Sequence, residues 1–261
     1  LDTVDEAIAR TSSLIIKLKQ TKAGLLQDLL TRGLDEDGKL RDPQAHPEKF
    51  QDSPLGQIPK EWEVATIGEA CSLVKDGSHL PPKRVENGPL LLSVQNMING
   101  GFQLTEGDTR ISWDFYKTMH KNWQIQIGDV LLAIVGATIG KTAVVRPMPP
   151  FTLQRSVAVL RGKIDTLENS FLHLYISSEK FQRLIWRKVN QTAQPGLYLA
   201  ELASFYIPLP SLKEQKNITA VIESQNTRLR TEEAYLNKLK LQKQGLMQDL
   251  LTGKVQVRKI K

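Results

Sequence analysis

Apolar residues recur every seven positions at both ends of this chain. Near the C-terminus Ile222, Leu229, Leu236 and Leu250 share one heptad position, and Leu239 and Leu246 share the other. Near the N-terminus Leu1, Ile8, Ile15 and Leu29 fall on the first position, with Val4, Leu18 and Leu25 on the second. A two-position stripe of this kind is the seam of paired helices. The two stretches are also copies. KLKQTKAGLLQDLLT (Lys17–Thr31) returns as KLKLQKQGLMQDLLT (Lys238–Thr252), with eleven of fifteen residues identical at an offset of 221. Lys22 and Lys243 interrupt both seams at the same place, and Gly33 and Gly253 mark the two helix ends. As continuous helix, Leu212 to Leu251 would be about 60 Å long, more than a globular core requires. One helix leads into the middle of the chain and its near-copy leads out. Attached to the same side, they run antiparallel with an approximate two-fold axis across the pair.

Between the copies the pattern changes to short runs. RGLDEDGKLRDPQAHPEKFQDSPLGQIPKEW is rich in Pro, Gly, Asp and Gln and reads as a linker wrapping onto a domain. WEVATIGEACSLV predicts a strand, a short helix capped by Thr66, and a strand; PLLLSVQNM predicts another strand. SWDFYKTMHKN predicts a helix capped by Ser112, DVLLAIV and TAVV a hairpin, and FTLQRSVAVLRG one long strand. NSFLHLYISSEKFQRLIWRKVNQ reads as a helix pair and FYIPLP as a final extended piece. The expected fold class is α+β: a mixed α/β domain of about 150 residues, plus a long antiparallel two-helix coiled-coil spacer. The expected boundaries are a spacer helix over residues 1–33, a linker over 34–61, the domain over 62–211, a second spacer helix over 212–253 and a tail over 254–261.

Composition narrows the function classes. With 261 residues and 40 % hydrophobic content the chain is globular rather than disordered. Its single cysteine, Cys71, excludes an internal disulfide framework and fits a reducing, cytoplasmic compartment. No apolar run approaches the ~18 residues of a membrane span, and the N-terminus lacks a signal-peptide layout. Beginning at Leu1 rather than Met, the chain reads as a cut or processed piece. The formal charge is +7 and the pI near 9.4. From Trp113 to Gln191 there are eleven Lys and Arg against five Asp and Glu, so most of the excess lies in mid-chain. Such a surplus suits phosphates, and equally suits a solvated basic face.

VGATIGKTAVV, Val135 to Val145, looks at first like a phosphate-binding loop. A Walker A loop needs four residues between its glycines and a helix after it. Here three residues separate Gly136 from Gly140, and AVVRPMPPF follows, whose valines and prolines oppose a helix. A hairpin turn describes it better. KDGSHLPPKRVENG (Lys75–Gly88) joins two predicted strands and carries Lys75, His79, Lys83 and Arg84 around Pro81-Pro82. Lys and Arg can contact phosphates or guanine edges, and Gln95 and Asn96 could pair with adenine.

Catalytic motifs are weak. MPPF (Met148–Phe151) has Met where an adenine-N6 methyltransferase needs a polar residue to hold the target amino group. EQK (Glu214–Lys216) superficially matches a nuclease Glu-x-Lys but starts the long helix. His46, His79, His120 and His173 have no metal-ligand spacing with one another or with Cys71. The expectation is a chain that performs no chemistry itself and holds no metal or cofactor.

In combination these segments resemble the specificity (S) subunit of type I restriction-modification systems. SPLGQIPKEWEV sits at a target-domain start, GDVLLAIVGATIGKTAVV in its middle and QPGLYLAELASFYIPLPSLKEQKNI at its end, with GLMQDLLTGKV closing the last helix. The resemblance covers essentially the whole chain. It implies a central conserved helix, one target-recognition domain and a C-terminal conserved helix. The implied partners are double-stranded DNA, methyltransferase (modification) subunits and a restriction/translocase subunit, with no membrane. The family's first target domain is absent, so two readings stay open: a half-subunit completed by self-association, or a fragment of a two-domain subunit. The candidate DNA contacts are Lys75, His79, Lys83, Arg84, Asn96, Lys141, Arg155, Arg187 and Lys188. Two rival classes are a nucleotide hydrolase and a coiled-coil scaffold carrying an incidental basic domain.

Overall fold

The computed structural model describes residues 1–80, 82–189 and 195–254. Pro81, the Asn190 and Gln191 end of the expected helix pair, and the tail from Val255 lie outside the described residues. The chain divides into two compact units, Leu1–Leu29 with Ala220–Lys261, and Leu30–Thr219.

The first helix, α1, spans Asp2–Leu29. The expected linker then contains a hairpin, β1 (Phe50–Ser53) with β2 (Gly56–Pro59), whose Phe50 and Ile58 are buried, as is Trp62 beyond it. Next come β3 (Glu63–Thr66), α2 (Ile67–Ala70) and β4 (Cys71–Asp76). Thr66 caps α2 as its sequence predicts: its hydroxyl accepts from Glu69 N, and the Glu69 carboxylate accepts from Thr66 N. Then follow β5 (Arg84–Leu92), β6 (Met97–Ile98), β7 (Gly101–Phe102), β8 (Arg110–Ile111) and α3 (Trp113–Met119), capped by Ser112. The hairpin strands β9 (Val130–Ala133) and β10 (Thr142–Val144) precede β11 (Phe151–Leu153) and β12 (Val157–Gly162). Two helices, α4 (Asn169–Ile176) and α5 (Glu179–Lys188), lead to α6 (Leu199–Ala203), then β13 (Tyr206–Leu209), which pairs antiparallel with β3, and α7 (Leu212–Leu251).

Two sheets enclose the core of the larger unit. One is antiparallel with order β10-β9-β12-β4, and the other has order β11-β5-β8. Between them lie Leu90, Leu92, Leu131, Ala133, Phe151, Leu153, Val157 and Val159. Val130, Leu132, Ala158 and Leu160 are the alternate residues of β9 and β12, and they are buried too, because α4 packs on the opposite face. That is why DVLLAI reads as a continuous apolar run rather than an alternation. Each of the Val, Leu and Phe side chains contributes roughly 1.5–3 kcal/mol by leaving water, so a one-residue slip of register is strongly disfavoured.

One expected element is split. FTLQRSVAVLRG is not one strand: β11 runs parallel to β5 in one sheet, and β12 pairs with β4 and β9 in the other. The break at residues 154–156 is set from far along the chain. Ser78 N donates to Leu153 O (2.7 Å), Arg155 N donates to Ser78 O (3.1 Å), and Gly77 passes so close that a Cβ would lie 2.1 Å from Leu153 O.

In the smaller unit, Ile15 and Leu18 of α1 pack with Leu229 of α7, with Leu14 and Leu236 beside them. Lys19 pairs with Glu233 (2.7 Å) and Lys243 with Asp5 (2.5 Å), which makes the two segments antiparallel. Lys243, the seam-breaking lysine, thus carries its own counter-charge. Leu1 and Leu246 are exposed, so apolar cover is thinner away from the middle of the pair.

Candidate nucleic-acid interface

The antiparallel sheet has two unlike ends. At one, the rim, β4 ends at Asp76, β12 begins at Val157, β9 ends at Ala133 and β10 begins at Thr142. The connecting segments continue the sheet by backbone bonds. Arg155 N donates to Ser78 O, Ile134 N to Ser156 O (2.8 Å), Leu197 N to Ile134 O (2.8 Å) and Gly136 N to Pro195 O (2.9 Å). Four irregular segments are therefore held edge to edge.

The rim collects Lys75, His79, Lys141 and Arg155, all exposed. His79 Nε2 lies 2.8 Å from Asp76 Oδ2, and the ammonium of Lys141 is 3.5 Å from Val94 O. Among the described residues no carboxylate lies within ion-pairing distance of Lys75, Lys141 or Arg155. Arg187 and Lys188 are exposed in the last turn of α5 and likewise lack such a partner; α5 is fastened to the β9–β10 turn, where Gln182 Nε2 donates to Gly140 O (2.9 Å). Lys83 and Arg84 leave the rim: Arg84 opens β5 opposite Ile111, in the second sheet. Asn96 is engaged within the fold: its Oδ1 accepts from Ser93 N (3.0 Å) and its Nδ2 donates to Asp108 Oδ1 (2.8 Å), so both amide atoms already carry a bond that a contact to adenine would have to share.

The Gly136–Thr142 segment is a hairpin turn between β9 and β10. Gly136 N, Ile139 N, Gly140 N and Lys141 N all donate to backbone carbonyls, so these four amides are bonded within the fold rather than turned toward a phosphate. Gly140 sits at φ +91, a backbone conformation that favours glycine, and a Cβ there would also meet Gln182 Oε1 at 2.1 Å, so the turn itself accounts for the second glycine.

The opposite end, the base, is built from neutralised charge. Asp129, fully buried, receives both Nε (2.7 Å) and Nη2 (2.8 Å) of Arg161, one of the mid-chain cations counted above. The EQK triplet also belongs here. Glu214 accepts from Leu34 N (2.8 Å), Arg41 Nη1 (2.6 Å) and Trp62 Nε1 (3.1 Å). Burial opposes the Arg41 charge, but its bonds to Glu214 and Glu61 outweigh that and hold its pKa above the usual value. Gln215, fully buried, donates to Thr166 O and Pro210 O and accepts from Glu168 N, while Lys216 pairs with Glu168 (3.2 Å). The three residues that suggest a nuclease fragment are all engaged in anchoring the start of α7.

Burial pushes the Cys71 thiol up to about 12 and lowers the pKa of His120 and His173; for His173 the Arg146 charge adds to the effect. Among the described residues no group of three or more His, Cys, Asp or Glu is placed to hold a metal ion, and no helix is long and apolar enough to cross a membrane. Two rim residues escape sequence reasoning: Leu80 and Tyr198 are 72 % and 68 % exposed. An apolar residue in a short run normally reads as core.

The fold is mixed α/β, and the candidate cations Lys75, Lys141 and Arg155, without carboxylate partners among the described residues, gather at one end of its antiparallel sheet. The chain belongs to the type I restriction modification DNA specificity domain family, whose model matches residues 59–241. The type I restriction enzyme MjaVIII specificity subunit of Methanocaldococcus jannaschii is 24 % identical over 271 residues, covering 100 % of this chain and 59 % of that protein. The EcoBI specificity subunit of Escherichia coli is 26 % identical over 169 residues, 64 % of this chain and 35 % of its own length. The crystal structure of the HsdS subunit from Thermoanaerobacter tengcongensis is similar with a TM-score of 0.60 at 17 % identity, covering 97 % of this chain and 57 % of that one. The S subunit from M. genitalium gives a TM-score of 0.55 at 15 % identity, with 95 % and 58 % covered. The chain therefore spans less than two thirds of each of these relatives.

Proposed function

We propose that this chain is the DNA-reading part of a type I restriction-modification enzyme, that it recognises one half of a bipartite site, and that it catalyses nothing itself. Family membership supports DNA specificity. The observation that carries the location is the rim, where exposed Lys75, Lys141 and Arg155 stand without carboxylate partners on segments pinned by backbone bonds. Unpaired cations on a rigid frame suit phosphates, which orient a protein on the duplex. The paired helices would serve as a spacer to a second target domain, from a second copy or a longer chain, and as the docking surface for methyltransferase and restriction subunits. The relatives are named specificity subunits of restriction enzymes, which supports those partners.

In the assembled enzyme, replacing Lys75 and Arg155 together by Ala should weaken DNA binding and reduce the slope of log affinity against log salt by roughly one per phosphate contact removed. An unchanged slope removes the rim from the interface. The Lys83 and Arg84 pair, on the second sheet, tests separately whether the contact extends there. A nucleotide-hydrolase reading requires saturable ATP binding, and the backbone bonds made by the Gly136, Ile139, Gly140 and Lys141 amides argue against it. A scaffold reading requires binding without sequence preference.

The spacer role has its own test. Four residues inserted between Leu229 and Leu236, matched in α1, add about 6 Å, or nearly two base pairs. Methylation-site mapping should then show a wider gap with unchanged half-site letters; an unchanged gap would dismiss the ruler.

A further inference from the structure

Leu80 and Tyr198 stand on the same backbone-pinned rim as the unpaired cations. Leu80 follows Ser78, whose hydroxyl donates to Leu80 O (2.6 Å) while its amide and carbonyl bind Leu153 O and Arg155 N. Tyr198 follows Leu197, whose amide holds Ile134 O, and its own amide donates to Glu201 Oε2 (3.1 Å) at the start of α6. Both side chains are thus mounted on fixed backbone and turned to solvent. Exposure alone would mean little, since single exposed apolar residues are ordinary. The base end provides the control: Ile127 and Ile164 are 69 % and 86 % exposed beside β9 and β12. There Arg161 is neutralised by Asp129, which leaves Lys163 as the neighbouring cation without an ion pair among the described residues. Of the two ends, it is the rim where exposed apolar groups coincide with several cations free to bind phosphate.

Resting on the DNA reading above, we propose that Leu80 and Tyr198 are specificity-determining residues that make apolar contact with base edges while Arg155 and Lys75 hold the backbone. An aliphatic or aromatic group in the major groove distinguishes a thymine methyl from the bare edge of other bases, a discrimination phosphate contacts cannot make. A rigid mount suits this role, because a mobile side chain would average over neighbouring bases.

The test maps methylated sites on randomised DNA with the assembled enzyme carrying Leu80→Ala, Tyr198→Ala, Tyr198→Phe, or Ile127→Ala with Ile164→Ala. Leu80→Ala and Tyr198→Ala should each relax preference at one base pair by on the order of tenfold, leaving the salt slope unaltered. Tyr198→Phe should keep the wild-type letters, and so should the base-end pair. Unchanged letters in both Ala variants overturn the proposal; so does a Tyr198→Phe loss equal to that of Ala, which would make the contact a hydroxyl bond. An Arg155→Ala arm separates this from the underlying reading. If Arg155→Ala flattens the salt slope while the Ala variants keep their letters, only the base-contact assignment falls. If none of these variants changes binding or letters, both fall.

Discussion

The two ends of the antiparallel sheet use the same kinds of residue for opposite purposes. At the base, Arg161 and Arg41 are consumed by Asp129 and Glu214, and the polar side chain of Gln215 is fully buried and bonded. At the rim, Lys75, Lys141 and Arg155 are exposed with no carboxylate beside them, on segments held chiefly by main-chain bonds. Charge count along the sequence cannot separate these cases, because a cation's role is set by what the fold brings to it. The base uses side-chain chemistry to fix structure. The rim fixes structure with backbone and leaves its side chains available.

The contrast can be broken most forcefully at Glu214. Glu214→Ala leaves Arg41, whose side chain is 9 % exposed, with only the exposed Glu61 carboxylate as ion partner, removes the acceptor of Leu34 N and Trp62 Nε1, and should cost about 3–5 kcal/mol in urea unfolding. A loss under about 1 kcal/mol would mean that the cluster is not an anchor. Next comes Gly33, at φ +64, where an added Cβ would meet Glu214 Oε1 at 2.2 Å and Trp62 at 2.4 Å. Gly33→Ala should destabilise by roughly 2–4 kcal/mol. Gly253, which follows the other spacer helix at φ +70 with open space where a Cβ would sit, should cost about 1 kcal/mol on the same change. Equal losses at both would refute the difference between a seated and an open turn.

Asp129→Asn keeps the shape of the base but removes the charge facing Arg161, for an expected loss of about 1.5–3 kcal/mol in the same measurement. A milder handle is pH. His120 and His173 have folded pKa values below the usual 6.5 because burial disfavours the imidazolium. Below pH 6.5 the unfolded chain binds protons that the folded chain refuses, so stability falls as pH drops, by at most about 1.4 kcal/mol per pH unit for each histidine. Replacing His120 by Gln should shallow that slope, and an unaltered slope would remove His120 from the account. The smallest effects belong to the rim: Lys75→Ala and Arg155→Ala should change stability by no more than about 0.5 kcal/mol. A larger loss would show that rim cations hold the fold as the base cations do.

Much of the architecture is legible in the sequence because its signals are local. Thr66 and Ser112 announce their helices by capping, the span of α7 follows from its heptads and flanking residues, and the shortened glycine spacing exposes the 136–140 turn as a hairpin. What escapes is set by distant contacts. Nothing within FTLQRSVAVLRG signals a break, since both halves favour strand and the division is imposed by Gly77 and Ser78. Asn96 looks unengaged until Asp108 bonds its amide, and Arg161 counts as surface charge until Asp129 folds beneath it. The candidate contacts scatter for the same reason: Arg155 and His79 are 76 positions apart but share a rim, whereas Arg84, much nearer to His79 in sequence, joins another sheet.

The sole cysteine has a practical consequence. Cys71 is buried and its thiol is pushed up to about 12, so at neutral pH almost none of it is thiolate, the form that reacts with maleimides and disulfide reagents. The native chain is therefore a nearly silent background for site-directed labelling. A cysteine introduced at Leu80 or Tyr198 would carry essentially all of the signal, and a fluorophore or photocrosslinker there would report on whatever approaches the rim without first removing the natural thiol.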